Sequence, residues 1–237
     1  IGDCAFECCS SLTSIAIPDS VNNIDASAFA YCGDLVNISL SNNITSISSN
    51  TFYYCSNLKS ITIPSGVTSI GGAAFQYCSS LRSVTLPDTL MTIGSSAFEL
   101  CTSLTDITLP DSMTSIGYAA FRDCIGLVSI NIPVNMSKID AYAFDGCYKL
   151  VEVINKSSLY ISVSSDNGYV AYYAKTVHKG TTKIVNQDGY LFYTHNNINY
   201  LLGYTGTDAA LTLPNSYNGQ SYKIYSYAFL QNSLFNS

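Results

Sequence analysis

One spacing governs this sequence. Phe6, Phe29, Phe52, Phe75, Phe98, Phe121 and Phe144 recur every 23 residues. Cys9, Cys32, Cys55, Cys78, Cys101, Cys124 and Cys147 keep the same interval, as do Leu12, Leu35, Leu58, Leu81, Leu104, Leu127 and Leu150. Seven turns pass without an insertion or deletion. A period of this length makes each unit one supersecondary element that buries its apolar side only against its neighbours. The chain is therefore expected to fold as a solenoid.

Residues 58–80 show the logic of one unit. Leu58, Ile61 and Ile63 form an L-x-x-I-x-I pattern. Residues 60–63 alternate with period two, which predicts a short strand with one buried face. Pro64 ends it by removing a ladder donor. Val67 and Ile70 keep the returning chain against the core. Gly71 opens a tighter segment in which Ala74 and Phe75 point inward. That segment is too short for an independent helix. The expectation is a 3₁₀ or one-to-two-turn helical piece on the convex side. Strands of successive turns should lie parallel, ~4.8 Å apart.

The pattern L-x-x-I-x-I/L-P, followed by I-G/D-x-x-A-F-x-x-C-x-x-L, resembles the BspA-like family of leucine-rich repeats. The likeness covers residues 1–153 and returns at 211–237. It implies an α/β leucine-rich-repeat horseshoe, with parallel strands on the concave face and short helical segments outside. It also implies a cell-surface or secreted bacterial protein that adheres to host or microbial extracellular proteins. Ser41 stands where the other turns carry proline, and Asn155 and Lys156 mark the end of the run.

Between residues 154 and 210 the period is lost, which predicts a Tyr-rich insert. Residues 168–177 read either as a helix capped by Asp166 or Asn167 or as a strand. Residues 189–204 read as a β-hairpin, because aromatic and branched residues suit both arms and Asn196-Asn197 tolerates positive φ at the turn. Leu211, Leu213 and Pro214 are expected to restore the strand ending, and Ile224, Ala228 and Phe229 the outer segment. The chain starts and stops within repeats, so a fragment of a longer protein is expected.

Composition narrows the function classes. Charged residues make up 11%, and the net charge is −6. No basic stripe for nucleic acid appears, nor any apolar run of the ~18–20 residues that span a bilayer. Lys175, His178, Lys179 and Lys183 read as a solvated turn. The seven in-phase cysteines should form an interior ladder of reduced thiols. A straight ladder does not converge as a metal site must. Cys4 and Cys8, one helical turn apart, either pair or pack. No phosphate loop or nucleophile elbow is present, and no cofactor or metal is expected.

Two surfaces are candidates for protein binding. The first is the outward side of the concave strands, with Ser60, Thr62, Ser83, Thr85, Asp106 and Thr108. This face reads as a hydroxyl-rich binding surface or as simply solvated. The second is the column Tyr31, Tyr54 and Tyr77, two places after the phenylalanines. Exposed tyrosine is a low-entropy anchor, and the alternative is packing against neighbouring turns. Three functions stand: a non-catalytic interaction and adhesion module, a passive spacer displaying another domain, and an enzyme with its site in the insert.

Overall fold

The computed structural model describes residues 1–206, 208 and 210–229. In chain order the repeat region holds β1 (Ser14–Ala16), β2 (Asn37–Ser39), β3 (Ser46–Ile47), β4 (Ser60–Thr62), β5 (Ser69–Ile70) and β6 (Ser83–Thr85). It continues with β7 (Thr92–Ile93), β8 (Ser115–Ile116), β9 (Ser129–Ile132), β10 (Lys138–Ile139) and β11 (Glu152–Asn155). A 3₁₀ turn, Ser165–Asn167, follows. Then come β12 (Thr176–His178), β13 (Ile184–Gln187), β14 (Tyr190–His195), β15 (Ile198–Tyr204) and β16 (Tyr222–Ile224).

The coils build parallel strands on two sides of the stack. The expected L-x-x-I-x-I strands pair one period apart, as in Ser60 with Ser83 and Thr62 with Thr85. A second sheet runs β3-β5-β7-β8-β10 down the other side. It is built from residues such as Ile47, Ile70, Ile93, Ile116 and Ile139, which the sequence had shown only as core contacts. The molecule is thus a leucine-rich-repeat β-solenoid.

The expected outer helices do not form, and the α/β description is corrected accordingly. Among the described residues the sole helical piece is Ser165–Asn167. The reason lies in where the backbone donors go. The N–H groups of Phe29, Phe52, Phe75, Phe98 and Phe121 donate across to the next coil, onto the carbonyls of Thr51, Ala74, Ala97, Ala120 and Ala143. An α-helix would need those donors for its own i−4 carbonyls. Two left-handed residues per coil also break any helix, for example Ala73 (φ 53°) and Tyr77 (φ 63°). The outer segment is a stack of tight turns knitted to one another.

All seven phenylalanines stand in one row. Consecutive ring centroids are 5.0–5.7 Å apart with planes within 16°. From Phe29 to Phe144 the rings are fully buried. The cysteines form a second row with a defined task. Each buried thiol donates to the carbonyl of the phenylalanine one coil back, as Cys55 Sγ to Phe29 O at 3.2 Å and Cys101 Sγ to Phe75 O at 3.1 Å. All nine cysteines are free thiols, so Cys4 and Cys8 are not paired. Ser41, in the proline place, donates its hydroxyl to Val21 O at 2.6 Å and accepts from Asn43 N–H.

The solenoid runs on past the periodic residues. β12 pairs parallel with β11 and adds one more strand to the first sheet. Residues 168–177 therefore hold turns leading into a strand, not a helix. The hairpin is present: β14 and β15 pair antiparallel around Asn196 (φ 49°) and Asn197 (φ 60°). A second hairpin joins β13 to β14 through Asp188 and Gly189, both at positive φ. Leu191, Tyr193 and Leu202 on one face of this sheet pack onto Val128 and Val151 of the solenoid. Phe192, Leu201 and Tyr190 on the other face pack with Tyr217. Residues 211–214 do not form the expected strand, and Leu213 is exposed. β16, carrying Ile224, pairs parallel with β15. The end of the expected 211–237 block, from residue 230, lies outside the described residues.

Burial pushes the ladder thiols up from 9.0, to about 11 at Cys32 and about 12 at Cys55, and well above 9.0 at Cys78, Cys101 and Cys147. A raised folded pKa gives stability that is full below the unfolded value and lost as pH climbs past it. The solenoid should therefore weaken above about pH 9, by about 1.4 kcal/mol per buried thiol per pH unit. Denaturant melts from pH 7 to 10 will show this, and Cys78→Ser will flatten the slope. Iodoacetamide at pH 8 should label Cys4, Cys8 and Cys9, the three exposed thiols of this chain, and leave six untouched until denaturation.

Candidate functional site

The outward side of the first sheet is open over the early coils. Ser60, Thr62, Ser83, Thr85, Asp106 and Thr108 are all exposed. β4 and β6 hold the first four in register. Asp106 and Thr108 sit differently, because residues 105–109 belong to no strand. Asn131, on the following coil, engages this stretch. Its carboxamide takes Leu109 N–H at 3.3 Å and donates to Leu109 O at 2.9 Å, in place of backbone partners. The sheet opens there into a cleft of 360 Å³ whose lining includes Arg82, Ser83, Thr85, Asp88, Asp106 and Thr108. Four of the six sequence-predicted residues on this face thus come together. Its lining mixes these hydroxyl and charged groups with Val84, Leu86, Ile107 and Pro110.

Tyr31, Tyr54 and Tyr77 do form a column. Their ring centroids are 5.7 and 5.1 Å apart, tilted by 31° and 37°. Tyr53 meets Tyr31 and Tyr77 edge-on. Tyr31 and Tyr54 remain 44% and 45% exposed. The rings pack on one another, as one of the two sequence readings expected, and remain partly exposed.

The sequence reading missed a clasp at the end of the first sheet. Glu152 occupies the outward strand column where earlier coils carry Ser60, Ser83 and Ser129, yet it is fully buried. His178 Nε2 lies 2.9 Å from its Oε1, Thr182 Oγ1 donates at 2.5 Å, and Lys183 N–H donates at 2.9 Å. The predicted solvated basic turn is therefore folded over the sheet at His178 and Lys183. His178 Nδ1 accepts from Gly180 N–H at 3.0 Å. Both ring nitrogens are engaged within the clasp, which leaves neither to serve a serine nucleophile. The signal in the sequence was a glutamate closing a column of serine, asparagine and the single aspartate Asp106.

Lys149 makes a second tie. Its Nζ donates to Ala228 O at 2.9 Å, and burial lowers it from 10.5 to about 8. Among the described residues, no group of three His, Cys, Asp or Glu is placed to hold a metal ion. No helix among them is long and apolar enough to cross a membrane.

Comparison with known proteins follows the same lines. A family described as the BspA type leucine rich repeat region matches in six copies, over residues 1–105 and 68–199. A leucine-rich repeat protein from Bacteroides ovatus is 33% identical, with a TM-score of 0.58, over 61% of this chain and 38% of its own. The T. pallidum leucine rich repeat protein is 33% identical, with a TM-score of 0.59, over 62% of this chain and 71% of its own. A leucine rich cell surface protein from Faecalibacterium prausnitzii is 30% identical, with a TM-score of 0.61, over 91% of this chain. This chain spans about half of that protein, 52%. No curated protein matches.

Replacing Glu152 by Gln removes a charged acceptor of three donors, an effect of about 1.5–3 kcal/mol per bond. Glu152→Gln should open residues 179–183 and speed tryptic cleavage after Lys179 and Lys183 by about tenfold, with the solenoid melt little changed. Unaltered cleavage would show that the clasp does not hold the loop.

Proposed function

The chain belongs to the BspA-type leucine-rich-repeat family, and from that premise we propose that it is an extracellular, non-catalytic protein-interaction module of a bacterial surface protein. The observation that carries this reading is the rigid display of two exposed columns. Ser60, Thr62, Ser83 and Thr85 stand in register on the first sheet, and the half-exposed tyrosines stand on the turn segments. Both are held by ladders that continue through the core, so little ordering cost is added on binding. The occupied ring nitrogens of His178 favour this reading over an enzyme in the insert. The printed description of the F. prausnitzii relative as a cell surface protein supports the location.

Host or microbial extracellular proteins are the proposed partners. Two of the relatives are much longer than this chain, which keeps a display role within a larger protein as the second reading. The chain, immobilised and challenged with matrix proteins, mucins and surface extracts of neighbouring bacteria, should capture a partner saturably at micromolar concentration. Capture of nothing at that level overturns the interaction reading and leaves the spacer.

A further inference from the structure

A second tyrosine array crosses the junction between repeats and insert. Its rings touch in an unbroken chain from Tyr118 through Tyr142, Tyr169, Tyr172 and Tyr148 to Tyr227, with Tyr173 bridging Tyr172 to Tyr148. Neighbouring centroids are 4.9–5.6 Å apart. Four of the contacts are edge to face, at 65–84°. Such a contact leaves one ring face uncovered by its neighbour's face, unlike the tilted stack of Tyr31, Tyr54 and Tyr77. Tyr172, Tyr227 and Tyr118 are 58%, 51% and 46% exposed. No other exposed aromatic cluster among the described residues draws together so many distant parts of the chain.

The bases near the array are each engaged elsewhere, while two of its carboxylates form no salt bridge among the described residues. Arg122 is held by Glu99, and Lys138 by Asp140. Lys149 is buried on Ala228 O. Asp123 and Asp145, on adjacent coils, form no salt bridge among the described residues. Burial raises the Asp123 carboxyl most, Arg122 beside it lowers it, and Asp145 and Glu99 raise it further. Ring faces are themselves the negative poles of the aromatic quadrupole. The protein already uses this chemistry within itself: Lys175 Nζ lies 4.8 Å from the Tyr200 centroid and 5.1 Å from that of Tyr225.

We infer that this array is a docking surface for a cationic, arginine- or lysine-rich segment of a partner protein, seated by cation–π contact with the tyrosines and by attraction to Asp123 and Asp145. The inference rests on the interaction-module reading and gives that module a place and a partner chemistry. Guanidinium and ammonium groups gain on both counts, whereas an acidic or purely apolar segment meets like charge or leaves the carboxylates unpartnered.

The test uses the whole chain and a fluorescently labelled oligo-arginine peptide, read by anisotropy. The chain should bind it saturably and should not bind oligo-glutamate. The charge-neutral double variant Tyr142→Asn with Tyr172→Ser should weaken binding by about tenfold. Asp145→Asn, which removes no ring, should weaken it by a similar factor. Asp3→Asn, exposed on the first coil and remote from the array, should stay within about twofold. Thermal melts confirm that each variant folds. The inference is overturned if the chain does not bind the peptide, or if the array variants bind as tightly as the parent. It is also overturned if Asp3→Asn costs as much as Asp145→Asn, which means general attraction to an acidic protein. Self-association abolished by the same tyrosine variants would instead assign the surface to a second copy. A natural partner still captured by the array variants would sink this surface and leave the module reading standing. Failure of the parent chain to capture any extracellular protein would sink the module reading itself.

Discussion

Every feature of this protein depends on one coil handing its backbone donors to the next in strict register. A lone unit has too little apolar surface to fold. Stacked, it closes two parallel ladders, a ladder of outer turns and two rows of side chains. The phenylalanine carbonyl concentrates this dependence. Phe29 O receives Cys32 N–H from its own coil and Cys55 Sγ from the following one. A thiol is small enough to stand in the row and polar enough to satisfy that second lone pair. The cysteine column is therefore explained by hydrogen bonding inside a dry core, with no need for redox or metal chemistry. The same register sets ring above ring and hydroxyl beside hydroxyl on the exposed faces.

A stack needs a way to stop, and the insert supplies one. The column after the leucines carries Lys59, Arg82 and Thr105, then Val128 and Val151. Val36 is apolar earlier in the column, but only Val128 and Val151 follow one another, and they create the flank on which Leu191, Tyr193 and Leu202 pack. Glu152 and Lys149 fasten the insert at two further points, through His178 and Ala228. β15 then offers its edge to β16 in parallel register, so the insert ends one sheet and begins another. The second tyrosine array straddles this junction, where rigid repeats meet a differently shaped surface.

Much of this was legible in the sequence, because a fixed period transmits geometry directly. The phenylalanine row, the L-x-x-I-x-I strands, six of the seven in-phase thiols expected inside (Cys9, on the first coil, is exposed) and the Asn196-Asn197 hairpin each follow from local chemistry repeated or from turn preference. What escaped reading depends on non-local partners. Ile70 and its equivalents form a two-residue strand only because the neighbouring coil supplies the ladder. Left-handed residues such as Tyr31, Ala73 and Leu100 are unusual choices for positive φ, and the helical expectation failed at those positions. Asn131 takes both backbone groups of Leu109 from one coil away, which no single-strand pattern reveals. The binding candidates Ser83, Thr85, Asp106 and Thr108 were chosen from alternation alone, and their meeting in one cleft appears only in the folded chain. Glu152 and His178 are 26 residues apart, and their pairing appears only when the loop folds back.

The central claim is that register between coils, and not any single coil, holds the molecule together. It is tested most directly by removing residues and following urea unfolding with a tertiary probe. Deletion of residues 58–80 removes one whole period and should leave a shorter solenoid that unfolds cooperatively, with its remaining buried thiols still protected. Deletion of residues 58–69, about half a period, should abolish the cooperative transition. Equal loss of structure in both, or equal tolerance of both, would contradict the account.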